Sequence, residues 1–430
     1  MEKNEDNIEK TSDFKQFRRN LIVIGIITTG ASVYGYFQLS FFYTYIKSVL
    51  GLSTLHIALM VTLSSIAALV SLLFFGIISD NTRTKVGRRR PYLLFGIVAG
   101  LGMFLFGFIQ DYALGLFIKV VLVEVAISAY YSVQRSLIAD LIPVEHRGKA
   151  NGINGIISMV GMILAVAATL IAQENFVVGG DLNQEGHIFL FTLSLIIIII
   201  CSIGGFIFLK EPPISELPPK MSFMTELKEM FQFGVLVKKH NEYFKMLVAQ
   251  GIFFIGLMMI APYIFIYIFE LELSTADMTT IVLILTPVIL IVILVLGKLT
   301  DKYGRKKVIP PTILISSIGF IMIPFVAVKG AVILPLATIA IILSLLGFVG
   351  VLVPVSAWQQ DLYPEEKRGQ FVGILNAMNM ITAIPGALVG GLIYATLGIE
   401  WIFAFVPIFL IGSIPFFLKV EETLPDELRK

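Results

Sequence analysis

Twelve apolar segments, each close to the length of a membrane-spanning helix, decide what this chain can fold into. About 20 consecutive apolar residues cross a bilayer as an α-helix. Runs near this length lie at 20–46, 56–79, 91–110, 113–139, 153–173, 188–209, 245–269, 278–299, 308–328, 331–356, 371–396 and 400–418. Only 14% of the 430 residues are charged, whereas soluble proteins average about a quarter. The sequence predicts an all-α, multi-pass protein of the cell membrane, with lipid around it and no nucleic-acid partner.

The basic residues predict the orientation of these helices. All but four of the 32 Lys and Arg residues fall in alternate loops, in the two tails or in the segment ends beside them. The four exceptions are Lys47, Lys119, Arg135 and Lys329. Because basic residues collect on the cytoplasmic side of a membrane, we expect both termini in the cytoplasm. The predicted regions are a tail at 1–19, a six-helix bundle at 20–209, a linker at 210–244, a second bundle at 245–418 and a tail at 419–430.

The linker carries four prolines before the stretch MTELKEMFQFGVLVKK. Prolines mark a break in helical structure, and the stretch behind them has the pattern of an amphipathic helix lying on the membrane surface. The linker therefore divides the chain into six helices before it and six after it.

The two halves repeat each other. Asp80 in GIISD and Asp301 in GKLTD are 221 residues apart, and so are Asp140 and Asp361. The same spacing relates Gly76 to Gly297 and Arg147 to Arg368. Two parallel six-helix repeats related by a pseudo-two-fold axis are typical of secondary transporters that work by alternating access, with the substrate between the halves near the membrane midplane.

The repeated inner loops combine acids, arginines and glycines. Carboxylates and guanidinium groups form charge-assisted contacts between helix ends, and glycine lets helices approach closely. We predict that these contacts gate the inner side; the alternative is that the basic residues only anchor the loops. The predicted gating residues are Gly76, Asp80, Arg88, Arg89, Asp140, Arg147, Gly297, Asp301, Arg305, Asp361 and Arg368.

The fourth segment, LFIKVVLVEVAISAYYSVQRSLIADL, carries a carboxylate and a guanidinium in apolar surroundings. An ionisable group in hydrocarbon costs about 3 kcal/mol or more, so it usually faces a protein interior or a cavity. Eleven residues of α-helix return to within about 20° of the starting direction, so Glu124, Ser128, Tyr131 and Arg135 share one face. Glu124 lies about 16 Å into its helix, where burial favours a neutral carboxyl. We predict a proton-binding site at Glu124; the alternative is a structural carboxyl that bonds to a neighbouring helix.

Two other charged residues of this segment are interpreted differently. Arg135 either assists coupling and substrate binding or extends to the inner interface, as long basic side chains do near helix ends. Lys119 is expected on another face of the helix, nearer its outer end, with its ammonium group at the outer interface.

The inner-loop motifs GIISDNTRTKVGRRRPYL and GKLTDKYGRKK resemble those of the major facilitator superfamily, which carry G-x-x-x-D followed by G-R-[RK]. Residues 34 to 155 resemble more narrowly the sucrose-transporter and proton-associated sugar transporter group of the glycoside–pentoside–hexuronide:cation symporters, through YFQLSFFYTYIKSVLG, RTKVGRRRPY and LVEVAISAYYSVQRSLIADL. The resemblance implies that Glu124 binds the proton, with Arg135 eleven residues on. Glu124 replaces the group's usual Asp, and Ile127-Ser128 replaces its Asn-Asn pair, which bears on sugar preference.

Neutral polar side chains in several segments suit a neutral polyhydroxylated ligand. Tyrosines also collect at membrane interfaces, so each tyrosine has a second interpretation. The predicted substrate-binding residues are Tyr34, Gln38, Tyr131, Gln134, Tyr263, Gln359, Asn376 and Asn379.

These features together predict proton-coupled symport of a sugar or glycoside by a monomer without metal or cofactor. Sodium coupling is less favoured. In the sodium-using sugar symporters of the resembled family the second segment supplies acids, whereas here it has none between His56 and Ser79. Efflux of a drug or metabolite by proton antiport stays open, as does a receptor-like sensor. An enzyme is not predicted: the four histidines lie in or beside four different loops, and no G-x-x-x-x-G-K-[ST] phosphate loop occurs.

Overall fold

The computed structural model describes residues 2–142, 147–213, 215, 222, 224, 239–328, 331–362 and 368–424. These ranges are almost entirely helical. The α-helices are α1 (Glu2–Ser48), α2 (Thr54–Asn81), α3 (Arg90–Leu93), α4 (Phe95–Phe106), α5 (Tyr112–Phe117), α6 (Val125–Leu141), α7 (Arg147–Phe176), α8 (Gln184–Phe208), α9 (Asn241–Ile260), α10 (Ile264–Glu270), α11 (Thr275–Tyr303), α12 (Arg305–Met322), α13 (Leu334–Leu362), α14 (Arg368–Leu397) and α15 (Ile399–Lys419). Two small hairpins, β1–β2 (Val177–Val178, Asp181–Leu182) and β3–β4 (Ala327–Val328, Ala331–Val332), complete the regular structure.

Eleven helices in the described part of the chain are long and apolar enough to cross a membrane. The predicted third segment is a shorter apolar helix, Arg90–Phe106, made of α3 and α4 on either side of Leu94. Large apolar side chains such as Leu55, Val70 and Leu294 are more than 60% exposed. Such a surface suits lipid rather than water, because soluble proteins avoid large exposed apolar patches. The all-helical, multi-pass membrane architecture is thereby confirmed.

The fourth predicted segment is not a uniform α-helix. Between α5 and α6 the chain forms a π-helix at Ile118–Glu124. A π-helix joins residues five apart by backbone hydrogen bonds, and it occurs frequently at functional sites. The prediction of side-chain faces from α-helical geometry therefore holds only from Val125 onward.

The described chain divides into two compact units. Unit 1 comprises Met1–Tyr45, Ala67–Val177 and Leu182–Glu229, and unit 2 comprises Ile46–Ile66, Val178–Asp181 and Met230–Lys430. The predicted bundle boundaries and the twelve-helix count stay predictions. The predicted amphipathic helix of the linker lies largely outside the described residues.

Aromatic side chains form the interior of unit 1 around α1. Phe37, Phe41 and Phe42 are fully buried. The Phe42 ring lies 4.6 Å from that of Phe106 on α4 and 5.4 Å from that of Phe191 on α8. Closely spaced rings of this kind add to the packing of buried helices. They hold α1, α4 and α8 together around the polar residues of the fourth segment.

The core of unit 2 is built where α9 meets α14 and α15. Tyr243, Phe244, Leu247 and Phe371 form one buried cluster. The Tyr243 hydroxyl donates a hydrogen bond of 2.6 Å to the carbonyl of Phe371, which satisfies a polar group that would otherwise be costly in an apolar interior.

Candidate functional site

Glu124 is buried within a three-residue polar cluster in unit 1. Glu124 is the last residue of the π-helix and is 8% exposed. Its Oε2 accepts a 2.9 Å hydrogen bond from Nε2 of Gln38 on α1 and forms an ion pair with Nζ of Lys119. The Lys119 ammonium also lies 4.9 Å from the centre of the Phe42 ring. The carboxylate is thus held by an amide and by a cation that itself rests on an aromatic face.

The position of Lys119 corrects the sequence-based expectation. Five residues of α-helix rotate by about 500°, which would put Lys119 and Glu124 about 140° apart. In the π-helix, residues five apart are hydrogen-bonded neighbours, so both side chains lie on one face. Lys119 is only 1% exposed, and the prediction that it extends to the outer interface is wrong. Its place five residues before an acid is the one signal that the sequence offers.

The π-helix packs closely on α4 through a glycine. A Cβ atom at Gly102 would come within 2.7 Å of Cγ2 of Val123. Contacts this short are not tolerated between close-packed side chains, so the approach requires glycine. This contact holds the helix that carries Glu124 against α4.

Beyond Glu124 the α-helical face is as predicted. Ser128 is buried, and the Tyr131 hydroxyl donates to the carbonyl of Ala31 at 3.2 Å. The Arg135 guanidinium lies 5.6 Å from the centre of the Tyr131 ring, a cation–π contact. Within the described residues no ion pair joins Arg135 to Glu124. The two groups that were predicted for coupling therefore occupy separate places on one helix.

The remaining substrate candidates in unit 1 make contacts inside the protein. The Tyr34 side chain is fully buried, and its hydroxyl donates to the carbonyl of Ala99 at 3.1 Å. Gln134 Nε2 donates to Oγ1 of Thr28 at 3.1 Å. Gln38 bonds to Glu124, as described above. Their roles in substrate binding stay predictions.

The candidates in unit 2 are similarly engaged or half-buried. The buried Tyr263 donates to the carbonyl of Ala387 at 3.1 Å. Gln359 hydrogen-bonds the buried Gln250, a partner that the sequence did not single out. Asn376 and Asn379 are half-buried on α14. Of the three predicted amides in unit 2, Gln359 thus has a side-chain partner, whereas Asn376 and Asn379 are partly accessible.

A second charged cluster joins the end of α2, the start of α3 and the end of α6. We call it the inner network because it contains residues predicted to gate the inner side. Arg89 binds Asp80 at 2.5 Å and Asp140 at 2.8 Å, and it also donates to Ser79 at 2.6 Å. Arg88 binds Asp140 at 2.8 Å. Burial lowers the pKa of Arg89, but the Asp140 and Asp80 carboxylates outweigh it and raise that pKa above its usual value. The guanidinium therefore stays charged between its two acids.

Glu211, just after α8, completes the inner network and was not predicted. Its carboxylate accepts hydrogen bonds from the backbone amides of Arg88, Arg89 and Arg90 at 2.7, 2.9 and 2.8 Å. These amides lead into α3, where the helix dipole favours a negative charge. An acid that directly follows the sixth segment was the available signal.

Unit 2 contains an equivalent cluster. Arg305 binds Asp361 at 2.6 Å, and the Thr423 hydroxyl donates to the same carboxylate at 2.7 Å. Glu422, just after α15, accepts from the backbone amide of Lys306 at 3.0 Å. Each unit thus pairs an arginine with acids at helix ends. The gating role of these residues stays a prediction.

Some predicted gating residues behave differently or lie outside the described atoms. A Cβ atom at Gly76 or Gly297 would meet no described atom within 4 Å. Among the described residues the close helix contact expected at these glycines is not seen, and their gating role stays a prediction. The side chains of Arg147, Asp301 and Arg368 lie outside the described part of the structure.

No group of three or more His, Cys, Asp and Glu side chains is placed to hold a metal ion within the ranges that the structure describes.

Comparison with known proteins identifies the fold. The sequence profile of the Major Facilitator Superfamily matches residues 21–355 and, in a second match, 246–430. The crystal structure of a D-xylose-proton symporter superposes with a TM-score of 0.69 at 16% identity, covering 93% of this chain and 97% of that one. At this identity the likeness shows the fold alone.

Two curated relatives match over short stretches. The uncharacterized MFS-type transporter YfiU of Bacillus subtilis (strain 168) is 31% identical over 110 residues, which cover 25% of this chain and 20% of that protein. The general alpha-glucoside permease of Schizosaccharomyces pombe (strain 972 / ATCC 24843) is 30% identical over 105 residues, covering 21% of this chain and 19% of the permease. Each match thus spans about a fifth of the relative's length. Because the superfamily profile covers nearly the whole sequence, the chain belongs to the major facilitator superfamily.

Proposed function

We propose that this transporter couples the entry of a proton to the symport of a sugar or glycoside by alternating access, and that Glu124 is the proton-binding group. The observation that carries the proposal is the buried Glu124 carboxylate in a membrane helix, held by one amide and one ammonium group. Ionisable groups at membrane depth are rare, and they often mark proton or substrate pathways.

Two opposing effects act on this carboxylate. Burial disfavours its charged form, whereas a neighbouring cation and a hydrogen-bond donor favour it. A group that loads a proton outside and releases it inside has to exchange that proton when access switches from one side of the membrane to the other. A buried carboxylate beside one cation and one hydrogen-bond donor is a candidate for that role.

The surroundings of Glu124 favour a proton over a sodium ion. Hard metal cations bind through several oxygen ligands at once. Glu124 Oε2 already has a cation beside it in Lys119, and a second cation would be repelled at this distance. A proton can bind the same carboxylate covalently without needing a cage of oxygens.

The substrate class rests on chemistry and on likeness together. The polar candidates Gln134, Gln359, Asn376 and Asn379 are neutral amides, which suit the hydroxyl groups of a sugar. A relative whose name supports a sugar is the alpha-glucoside permease. We propose the sucrose-transporter and proton-associated sugar transporter group as the nearest branch, with twelve helices, cytoplasmic termini and a monomeric state.

The inner network is proposed as the gate on the cytoplasmic side. Charged contacts between helix ends can break and re-form as helices move, and two-state elements of this kind underlie switching transitions. Arg89 between Asp80 and Asp140, and Arg305 beside Asp361, are the contacts that would have to change.

The test uses purified protein in liposomes with an imposed inward proton gradient. Labelled maltose, sucrose, methyl α-glucoside and D-xylose are offered to wild type, to Glu124→Gln and to Glu174→Gln, an exposed acid near the end of α7. We expect wild type and Glu174→Gln to accumulate a sugar with proton entry. Glu124→Gln should lose accumulation but retain exchange of sugar across the membrane.

Equal accumulation by Glu124→Gln and wild type would overturn the role of Glu124. Failure of every sugar to move would overturn the sugar class, and efflux of a drug or metabolite by antiport would be measured next.

A further inference from the structure

We propose that Lys119 is the counter-ion that sets the pH range in which Glu124 takes up its proton, and that the π-helix at Ile118–Glu124 exists to bring it there. This inference deepens the proposed proton coupling and rests on it. Lys119 is therefore a positioning residue, which acts through Glu124.

The burial of both side chains indicates that the ion pair between Lys119 and Glu124 is part of the fold. Lys119 is 1% exposed and Glu124 is 8% exposed. A buried cation without a partner costs several kcal/mol, so this ammonium group depends on Glu124 and on the Phe42 ring 4.9 Å away. An α-helix would have pointed it elsewhere, since residues five apart are neighbours only in a π-helix.

The other groups around the carboxylate cannot take the place of Lys119. On α1 the neighbours are the amide of Gln38 and the phenol of Tyr34, and on α6 the phenol of Tyr131. Helix α4, which packs on the π-helix, has no titratable side chain in FGIVAGLGMFLF, and α5 has only Tyr112, at its first residue. Lys119 is thus the one charged partner among the described residues near Glu124.

The protonation step balances with the groups present. A hydronium ion on the loading side gives its proton to a Glu124 oxygen and leaves as water. The ion pair is lost, and Lys119 keeps its own proton. The charge of the cluster rises by one. The ammonium group then relies on the face of Phe42, a cation–π contact. Gln38 can serve both states, because a side-chain amide has donors for a carboxylate and an acceptor for a protonated carboxyl.

The direction of the effect follows from the sign of the charge. A nearby cation favours the ionised carboxylate. Without Lys119 the carboxyl therefore keeps its proton up to a higher pH, and the release of that proton on the inner side becomes harder. Loading outside is helped, while unloading inside and accumulation are hindered.

The test is an infrared titration of the purified protein, which follows the protonated carboxyl band that disappears in Glu124→Gln. This readout needs no substrate. For Lys119→Met we expect the midpoint of that band to rise by about 1–3 pH units, the range by which a close opposite charge shifts a carboxyl. Lys119→Arg keeps the charge and should titrate near wild type. Lys419→Met, at an exposed lysine that ends α15, should match wild type.

An unchanged midpoint in Lys119→Met, or an equal shift in Lys119→Arg, would overturn the inference. Proton-coupled uptake by wild type, lost in Glu124→Gln, would still stand in that case. If Lys119→Met does not fold, the double variant Lys119→Met with Glu124→Gln decides. A higher yield of folded protein for the double variant than for Lys119→Met supports the ion pair. An equally low yield overturns the inference.

Discussion

The two charged clusters of unit 1 use the same chemistry, but they differ in how far an acid is exposed: Arg89 is as buried as Glu124, whereas Asp80 is not. Lys119 and Glu124 form one buried pair, whereas the inner network leaves the Asp80 side chain 50% exposed and links it to Arg89. Water and salt weaken exposed charge contacts and hardly reach buried ones. The inner network can therefore break and re-form at low cost, while the buried pair responds mainly to a proton.

The second difference is that only one cluster is repeated. Unit 2 has its own version of the inner network in Arg305 and Asp361. The positions 221 residues after Lys119 and Glu124 are Ala340 and Leu345, which carry no charge. A movement shared by two pseudo-symmetric halves needs contacts in both. A single proton site needs a carboxylate in only one half. The repeated cluster therefore suits the proposed gate, and the cluster without a repeat suits the proposed coupling group.

The largest expected effect comes from removing half of the buried pair. Glu124→Ala leaves Lys119 buried without a counter-ion, which should cost about 3–5 kcal/mol of unfolding free energy. The double variant Lys119→Met with Glu124→Gln should recover most of that loss, because neutral groups need no counter-ion. Both are measured at pH 7 by titrating the detergent-solubilised protein with a denaturing detergent.

A Glu124→Ala variant that is no less stable than the double variant would contradict this prediction. Other groups would then stabilise the Lys119 ammonium group, and the buried pair would tolerate the loss of a partner as the inner network does.

A smaller effect is expected at the hub of the inner network. Arg89→Gln removes the cation between Asp80 and Asp140. A hydrogen bond to a charged group contributes about 1.5–3 kcal/mol, and exposure reduces this, so we expect a loss near the lower end of that range. In 1 M salt, where the Debye length is about 3 Å, the difference from wild type should shrink. The stability difference of Glu124→Ala should persist in the same salt.

Arg305→Gln is the matched variant in unit 2, where Arg305 binds Asp361 at 2.6 Å and lies 3.8 Å from Glu422. We expect Arg305→Gln to lower the free energy of unfolding as Arg89→Gln does, and we expect the difference from wild type to shrink in 1 M salt in the same way. An Arg89→Gln loss that is insensitive to salt would mean that the inner network behaves as a buried cluster.

The sequence predicted the helical membrane fold and the charged partners that sit at helix ends. Asp80 and Asp140 recur 221 residues later as Asp301 and Asp361, and arginine partners for these acids follow from charge complementarity. The Lys119–Glu124 pair could not be predicted in this way. Its geometry depends on a π-helix, and nothing in IKVVLVE distinguishes that backbone from an α-helix. The rule of 3.6 residues per turn therefore placed Lys119 on the wrong face.

Glu211 was missed for a different reason: its partners are backbone amides, which every sequence contains. Only the fold shows that the chain after α8 passes the start of α3, where Arg88, Arg89 and Arg90 present their N–H groups to one carboxylate. Contacts between a side chain and distant backbone carry no pattern in the sequence. The same holds for Glu422 and the amide of Lys306.

The smallest expected effect tests whether the backbone contacts of Glu211 belong to the inner network. Glu211→Gln keeps an oxygen that can accept a hydrogen bond but removes the negative charge at a helix start, which contributes about 0.3–1 kcal/mol. We expect a loss of about that size, measured in the same unfolding titration. Glu422→Gln should lose less, because two backbone amides, those of Lys306 and Leu424, bond to Glu422 where three bond to Glu211. Equal losses would show that charge rather than the number of amides matters, and the two units would then be more alike than their hydrogen bonds indicate.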